Sequence, residues 1–227
     1  MLKFYAHNDD AIKCNSLVPA SKVTMKWLEN AWEVVEQLPK NIPLITRCPG
    51  IASVTSTGWI LKSHTNFTIE TNGDGESFNA SVEEGPNIGR HVSEQMAIYR
   101  SSQPLTLRTI VKVYSPWVVD IPDGYSLLLM PIPYPDDYRF TAATGLLRGK
   151  QPINIQLFWH CLNSKEVVSK GTPLNQMILI KDEKLNYTIS RIEEGNNISQ
   201  EIEDNLRKRG TVVINKPQIK PNFDIQV

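Results

Sequence analysis

The chain is short of cysteine, of excess charge and of long apolar runs, and each shortage removes a class of protein. Only Cys14, Cys48 and Cys161 are present, and no two stand at C-x-x-C spacing. An odd number of scattered cysteines argues against a disulfide framework and points to a reducing compartment. Lys plus Arg and Asp plus Glu each number 24, so the formal charge is zero. No basic excess favours nucleic acid, and little net repulsion opposes self-association. No run approaches the length of a membrane span, and the N-terminus MLKFYAHNDD has no apolar signal core. The expected setting is therefore intracellular or virion-associated, with no nucleic-acid or membrane partner. The N-x-S/T sequons at Asn66, Asn79, Asn186 and Asn197 are then read as chance.

Recognisable catalytic motifs are equally scarce. There is no G-x-S-x-G, no Walker A loop and no G-x-G-x-x-G. The histidines are His7, His64, His91 and His160. His7 and Asp9 form an H-x-D, two arms of a facial iron triad, but they precede any expected strand that could hold them. That reading, a non-haem iron oxygenase, ranks last. His160 and Cys161 are adjacent, so on a strand they would face opposite ways and make poor co-ligands. No metal and no cofactor is expected.

A length of 227 residues suits one sizeable domain able to bury a core unaided. The spacing of Val23, Trp27, Ala31, Val34 and Leu38 predicts a helix over 21–38, capped by Ser21 and ended by Pro39 and Pro43. From Leu44 to about Lys181 the segments LITRC, TGWILKS, NFTIE, SFNASV, LRTIVKVYS, YSLLLMPI, INIQLFW and LNQMILIK read as short strands. TNGDG at 71–75 is a hairpin signal, IPDGY at 121–125 is a Pro-Asp-Gly turn, and PIPYPDD at 131–137 is too proline-rich for a central strand. Residues 197–210 read as a second helix, with Asn197 and Gln200 in a capping box and Gly210 as the stop. Its pairs Glu203–Arg207 and Asp204–Lys208 contribute roughly 0.2–0.5 kcal/mol each.

The expected fold is mainly β with minor α: an antiparallel β-sandwich or β-clip-like barrel carrying an N-terminal helix, and a C-terminal helix plus tail. One globular unit is divided into an N-terminal segment over 1–43, a β-rich core over 44–183, and a helix with extended tail over 184–227. Within the core, the proline-rich loop is where binding residues collect. Asp136, Asp137 and Arg139 lie there, beside Tyr134 and Tyr138 in polar surroundings. Arg139 is placed either to clamp a phosphate or carboxylate or to pair with Asp136.

The segments PDGYSLLLMP, TGLLRGKQPINIQLFW and VVSKGTPLNQMILI resemble the second half of the dUTPase and dCTP deaminase family, whose fold is the β-clip. Lys170, Gly171 and Gln176 match its closing Lys-Gly-Gln strand with one offset. The chain has MPIPYPDDY where that family carries an Arg-Ser pair for phosphate, and TGLLRGK where it carries an acid that activates water. The resemblance thus implies a scaffold without the family's catalytic residues. A nucleotide or small-ligand pocket on it would draw on Tyr134, Asp136, Arg139, Arg148, Trp159 and His160. The two arginines would face phosphate and an aromatic would stack on a base. Over most of the chain, ASKVTMKWLENA, RCPG, STGWILKS, GYSLLLMPIPYP and KGTPLNQ resemble a family of tailed-phage proteins, marine ones especially, with bacterial relatives. That resemblance implies a location in host cytoplasm or virion, and partners that are a second copy, as dimer or trimer, or a phage or host protein. The leading expectation is a non-enzymatic binding or assembly module, ahead of a nucleotide or small-ligand binder.

Overall fold

A computed structural model of the protein describes residues 1–27, 29–30, 48–83, 88–92, 95, 105–183, 200–201 and 204–205. The architecture is mainly antiparallel β. In chain order it runs β1 (Lys3–Ala6), α1 (Asp9–Lys13), β2 (Leu17–Pro19), a 3-10 turn at Ala20–Lys22, and α2 (Pro49–Ser56). There follow β3 (Trp59–Lys62), β4 (Phe67–Thr71), β5 (Phe78–Val82), β6 (Ile88–His91) and β7 (Ile110–Asp120). The remaining strands are β8 (Tyr125–Met130), β9 (Phe140–Ala142), β10 (Gly145–Leu147), β11 (Lys150–Trp159), β12 (Lys165–Val168) and β13 (Pro173–Lys181).

Among the described residues, three open sheets share one core. The first is ordered β1-β7-β11-β9, with β6 also on β7; the second is β10-β8-β13-β3-β2; the third is β12-β4-β5. Every pairing is antiparallel. Among the described residues none of the sheets closes into a barrel. The sandwich-like alternative is therefore the one realised. Period-two burial explains the choice of strand. In β11, Ile153, Ile155, Leu157 and Trp159 are all buried, while Asn154, Gln156 and Phe158 between them are half-buried. Each such apolar side chain contributes about 1.5–3 kcal/mol on burial. These residues meet Val111 and Val113 of β7, Leu127 and Leu129 of β8, Phe67 and Ile69 of β4, and Leu174 and Met177 of β13 in a single cluster.

Turns fall where local chemistry requires them. TNGDG links β4 to β5, with Gly73 at φ 85° and Gly75 at φ 72°. IPDGY carries the chain from β7 in the first sheet to β8 in the second, with Gly124 at φ 77°. The loop 131–139 is irregular and Tyr134 takes φ 54°.

Several elements differ from the sequence expectations. β7 runs on through Pro116, which has no N–H to donate. On one edge of β7, β6 pairs with residues 110–113 and β1 with 117–120; on the other, β11 bulges between Pro152 and Asn154. Pro116 thus sits in a gap in both ladders. The polar terminal turn expected around His7 is preceded by strand β1. The Cys-Pro turn expected at 48–49 opens a helix, with Cys48 at the N-cap, because Pro49 stands in the first turn of α2 where its missing N–H costs nothing. Ser21 lies in the 3-10 turn, and helical backbone appears at residues 26–27 and 29–30. The rest of the expected 21–38 helix, the strand at 44–47, most of the 197–210 helix and the tail lie outside the described residues.

Candidate functional site

The candidate site lies on the loop 131–139 that leaves β8. Pro131, Pro133 and Pro135 prevent ladder pairing there, so the loop's side chains supply its order. The Asp136 carboxylate accepts from the backbone N–H of Lys26 (2.7 Å) and of Trp27 (3.2 Å). It caps the helical residues that follow, supplying the role that sequence assigned to Ser21. The Trp27 and Tyr134 rings lie 5.6 Å apart, a second tie between the loop and this segment.

Arg139 pairs with Asp137, not Asp136. Its Nε and Nη2 donate to the two Asp137 oxygens at 3.0 and 2.7 Å, the fork geometry that suits guanidinium and carboxylate. Its Nη1 donates to the Val167 carbonyl at 2.7 Å and lies 3.6 Å from Glu166. One guanidinium therefore fastens the loop to β12. Burial pushes the Asp137 carboxyl upward, but the hydrogen bonds and charge of Arg139 outweigh it and leave the pKa below the ordinary value. The hydrogen bond from Arg139 to Asp137 raises the arginine further despite desolvation.

Behind Arg139, its carbonyl accepts from the His160 N–H at 2.8 Å. The His160 ring is held at both nitrogens, Nδ1 with Thr106 Oγ1 at 3.1 Å and Nε2 with Thr141 Oγ1 at 2.9 Å. Cys161 follows; burial, then Glu166, pushes its thiol up, away from nucleophilic thiolate character.

Asp136, Asp137, Arg139 and Cys161 line an open cleft of about 690 Å3 together with Lys26, Tyr138, Thr172 and Pro173. Two cations face two carboxylates, so the cleft is close to electrically balanced. Tyr138 is 76 % exposed and Tyr134 46 %. A smaller apolar niche of about 70 Å3 adjoins it, walled by Met25, Ile132, Pro135, Phe140 and Leu174.

The six residues expected from sequence separate into groups. Tyr134, Asp136 and Arg139 share the loop, and His160 lies against Arg139. Trp159 is fully buried and stacks on Phe140 at 5.9 Å, inside the core rather than where a base could reach it. Arg148 lies at the opposite end of β11, with Nε donating to Ser126 at 2.9 Å and lying 3.5 Å from Asp182. A strand of that length separates its ends by roughly 30 Å, so Arg139 and Arg148 do not converge on one phosphate. The cleft instead recruits Lys26, Cys161 and Thr172 from distant segments. Asp137 and Tyr138 carried a local signal, being polar and aromatic residues in a proline-rich loop; Lys26 and Thr172 carried none. Gln176, the end of the Lys-Gly-Gln match, is fully buried on β13 and caps α2, with Nε2 donating to the Val54 and Thr57 carbonyls at 2.6 Å each.

His7 stands at the end of β1, its N–H bonded to the Pro116 carbonyl, and Asp9 opens α1. Among the described residues no group of three or more His, Cys, Asp or Glu is placed to hold a metal ion. Among them, too, no helix is long and apolar enough to cross a membrane. Comparison with protein-family models and with curated proteins gave no match.

Proposed function

We propose that the protein is a non-enzymatic binding or assembly module whose partner polypeptide docks at the cleft beside the 131–139 loop. The observation that carries this reading is how the polar groups in and behind the cleft are employed. Arg139 is committed to Asp137, Glu166 and the Val167 carbonyl, and both nitrogens of His160 are engaged by threonine hydroxyls. These contacts support a charge-balanced concavity with the exposed Tyr138 at its rim. Tyrosine is a favoured anchor in protein interfaces because it carries large area at little entropic cost. The resemblance to phage proteins directs the search toward virion proteins, host proteins and a second copy of the chain as dimer or trimer.

The test is site-specific photo-cross-linking from position 138, in cells producing the protein alone and in phage-infected cells, with position 12 as a remote exposed control. The reading expects an adduct of polypeptide mass from position 138 and not from 12. Equal adducts from both positions, or none from 138, would refute it. A nucleotide or small-ligand role is the second reading, favoured by Lys26, Arg139 and Tyr138 lining one cleft. Calorimetric titration with nucleoside triphosphates separates it from the first.

A further inference from the structure

The hairpin between β4 and β5 carries chemistry that is independent of the cleft. Its turn holds Asn72-Gly73 and Asp74-Gly75. In such dipeptides the side-chain carbonyl is open to attack by the next backbone nitrogen, because glycine brings no side chain to shield it. The turn itself requires both glycines, at φ 85° and 72°. Asn72 and Asp74 are both exposed to water.

Their hydrogen bonds separate the two. Asp74 accepts from the Glu76 and Ser77 N–H groups at 2.7 and 3.0 Å and from the Ser77 hydroxyl at 2.9 Å. These bonds hold it as a carboxylate, which has no leaving group. Asn72 is a neutral amide that can lose ammonia. Its Oδ1 accepts from the Asp74 N–H at 3.1 Å, a contact that polarises the amide carbonyl toward attack. The attacking atom, however, is tied down. The Gly73 N–H donates to the Leu162 carbonyl at 2.6 Å. Removing that proton would set a negative nitrogen against a carbonyl oxygen. Neighbouring bonds secure the same join. The Thr71 N–H donates to the Ser164 carbonyl at 2.9 Å, and the Thr71 hydroxyl donates to the Cys161 carbonyl at 2.8 Å and accepts from the Ser164 N–H at 3.2 Å.

We infer that Asn72 is a site of spontaneous deamidation, and that the bond from Gly73 to Leu162 is the lock that slows the reaction in the folded protein. The reaction proceeds when the hairpin lifts from the 161–164 loop. Hydroxide takes the Gly73 amide proton, and the nitrogen bonds to Asn72 Cγ. The Cγ–Nδ2 bond breaks, and ammonia leaves with a proton from water, which restores the hydroxide. The five-membered imide then adds water at either carbonyl, leaving aspartate or isoaspartate at 72. The net change is one water consumed and one ammonia released. Isoaspartate routes the main chain through the side-chain carbon, so the lengthened turn no longer presents the Gly73 N–H to Leu162 in the same geometry. Either product adds a negative charge beside Asp74 and Glu76.

The experiment ages the full chain at mildly alkaline pH, native and in guanidinium chloride, and follows conversion of amide to acid at each asparagine by peptide mass mapping. In denaturant, position 72 is expected to convert ahead of every other asparagine, since Asn-Gly occurs nowhere else in the chain. In the native protein it should convert at least roughly tenfold more slowly, because only the opened hairpin reacts. Thr71→Val removes the hydroxyl bonds to Cys161 and Ser164, and should speed the native reaction roughly fivefold while leaving the denatured rate unchanged. Another asparagine converting first in denaturant, equal native and denatured rates at 72, or an unchanged native rate in Thr71→Val would overturn the inference. If Thr71→Val fails to fold, the native-to-denatured ratio of the unsubstituted chain decides alone.

Discussion

Gln176→Glu is the sharpest perturbation of the fold. The glutamine Nε2 donates two bonds at 2.6 Å to the C-terminal carbonyls of α2. Glutamate has the same shape but sets an oxygen against two carbonyl oxygens. Two hydrogen bonds are lost, at about 0.5–1.5 kcal/mol each. At neutral pH the side chain must then either ionise in a fully buried site or stay protonated at the cost of a shifted pKa, adding a further penalty on the order of 2 kcal/mol. The total is about 3–5 kcal/mol, a fall in Tm of roughly 10 °C for a domain of this size. The sign of the pH dependence follows. The folded-state pKa of this Glu lies above its unfolded value of about 4.3. Stability of the variant is therefore highest below that unfolded value, and declines as pH rises toward the folded pKa. Near pH 4 the protonated carboxyl regains one of the two bonds, leaving a deficit of about 1 kcal/mol. Gln176→Leu, which buries no charge in place of the amide, costs less than Glu at pH 7. Urea denaturation of the three proteins at pH 4 and pH 7 measures all of this. A deficit for Glu that is below 1 kcal/mol, or that is the same at both pH values, would refute the capping role.

Three further outcomes follow from other contacts. Asp136→Ala should cost about 1 kcal/mol and Asp136→Asn much less, since asparagine caps as well as aspartate; equal losses in urea denaturation would show that the contacts to Lys26 and Trp27 are idle. Asp74 accepts from the Glu76 and Ser77 N–H groups and the Ser77 hydroxyl, which lower its pKa to about 2. The stability it lends is present above the unfolded pKa and is lost as pH falls through about 2; an NMR titration midpoint near 4 would contradict this. Gly58 has φ +78°, and a Cβ there would stand 1.9 Å from the Met177 carbonyl oxygen, so Gly58→Ala should destabilise by about 2–3 kcal/mol. An unchanged Tm would show that the α2–β3 turn adapts freely.

The cleft shows why loop chemistry was easier to read than site geometry. Tyr134, Asp136 and Arg139 were visible because prolines at alternate positions mark an irregular, exposed loop whatever surrounds it. Their partners were not. Arg139 selects Asp137 over Asp136 because Asp136 is already drawn to the N–H groups of Lys26 and Trp27, a relation across 110 residues. Trp159 and His160 are adjacent, but strand geometry sends the first into the core and leaves the second half-buried at the strand's end. Arg148 belonged with Arg139 only under a family resemblance; the length of β11 separates them.

Alone, the sequence determined what depends on near neighbours. Alternation of apolar residues specified β11, a continuous apolar run over 177–180 specified β13, glycine with asparagine or aspartate specified the turns at 71–75 and 121–125, and proline excluded 131–137 from a ladder. These are steric and solvation preferences that act within a few residues. Tertiary structure decided which strands share a sheet, that Pro116 would fall between two ladder segments, that Asp136 would cap a distant helix, and that Gln176 would close α2. A carboxylate or amide can satisfy any suitable donor or acceptor, so its partner is settled only when packing brings one within about 3 Å.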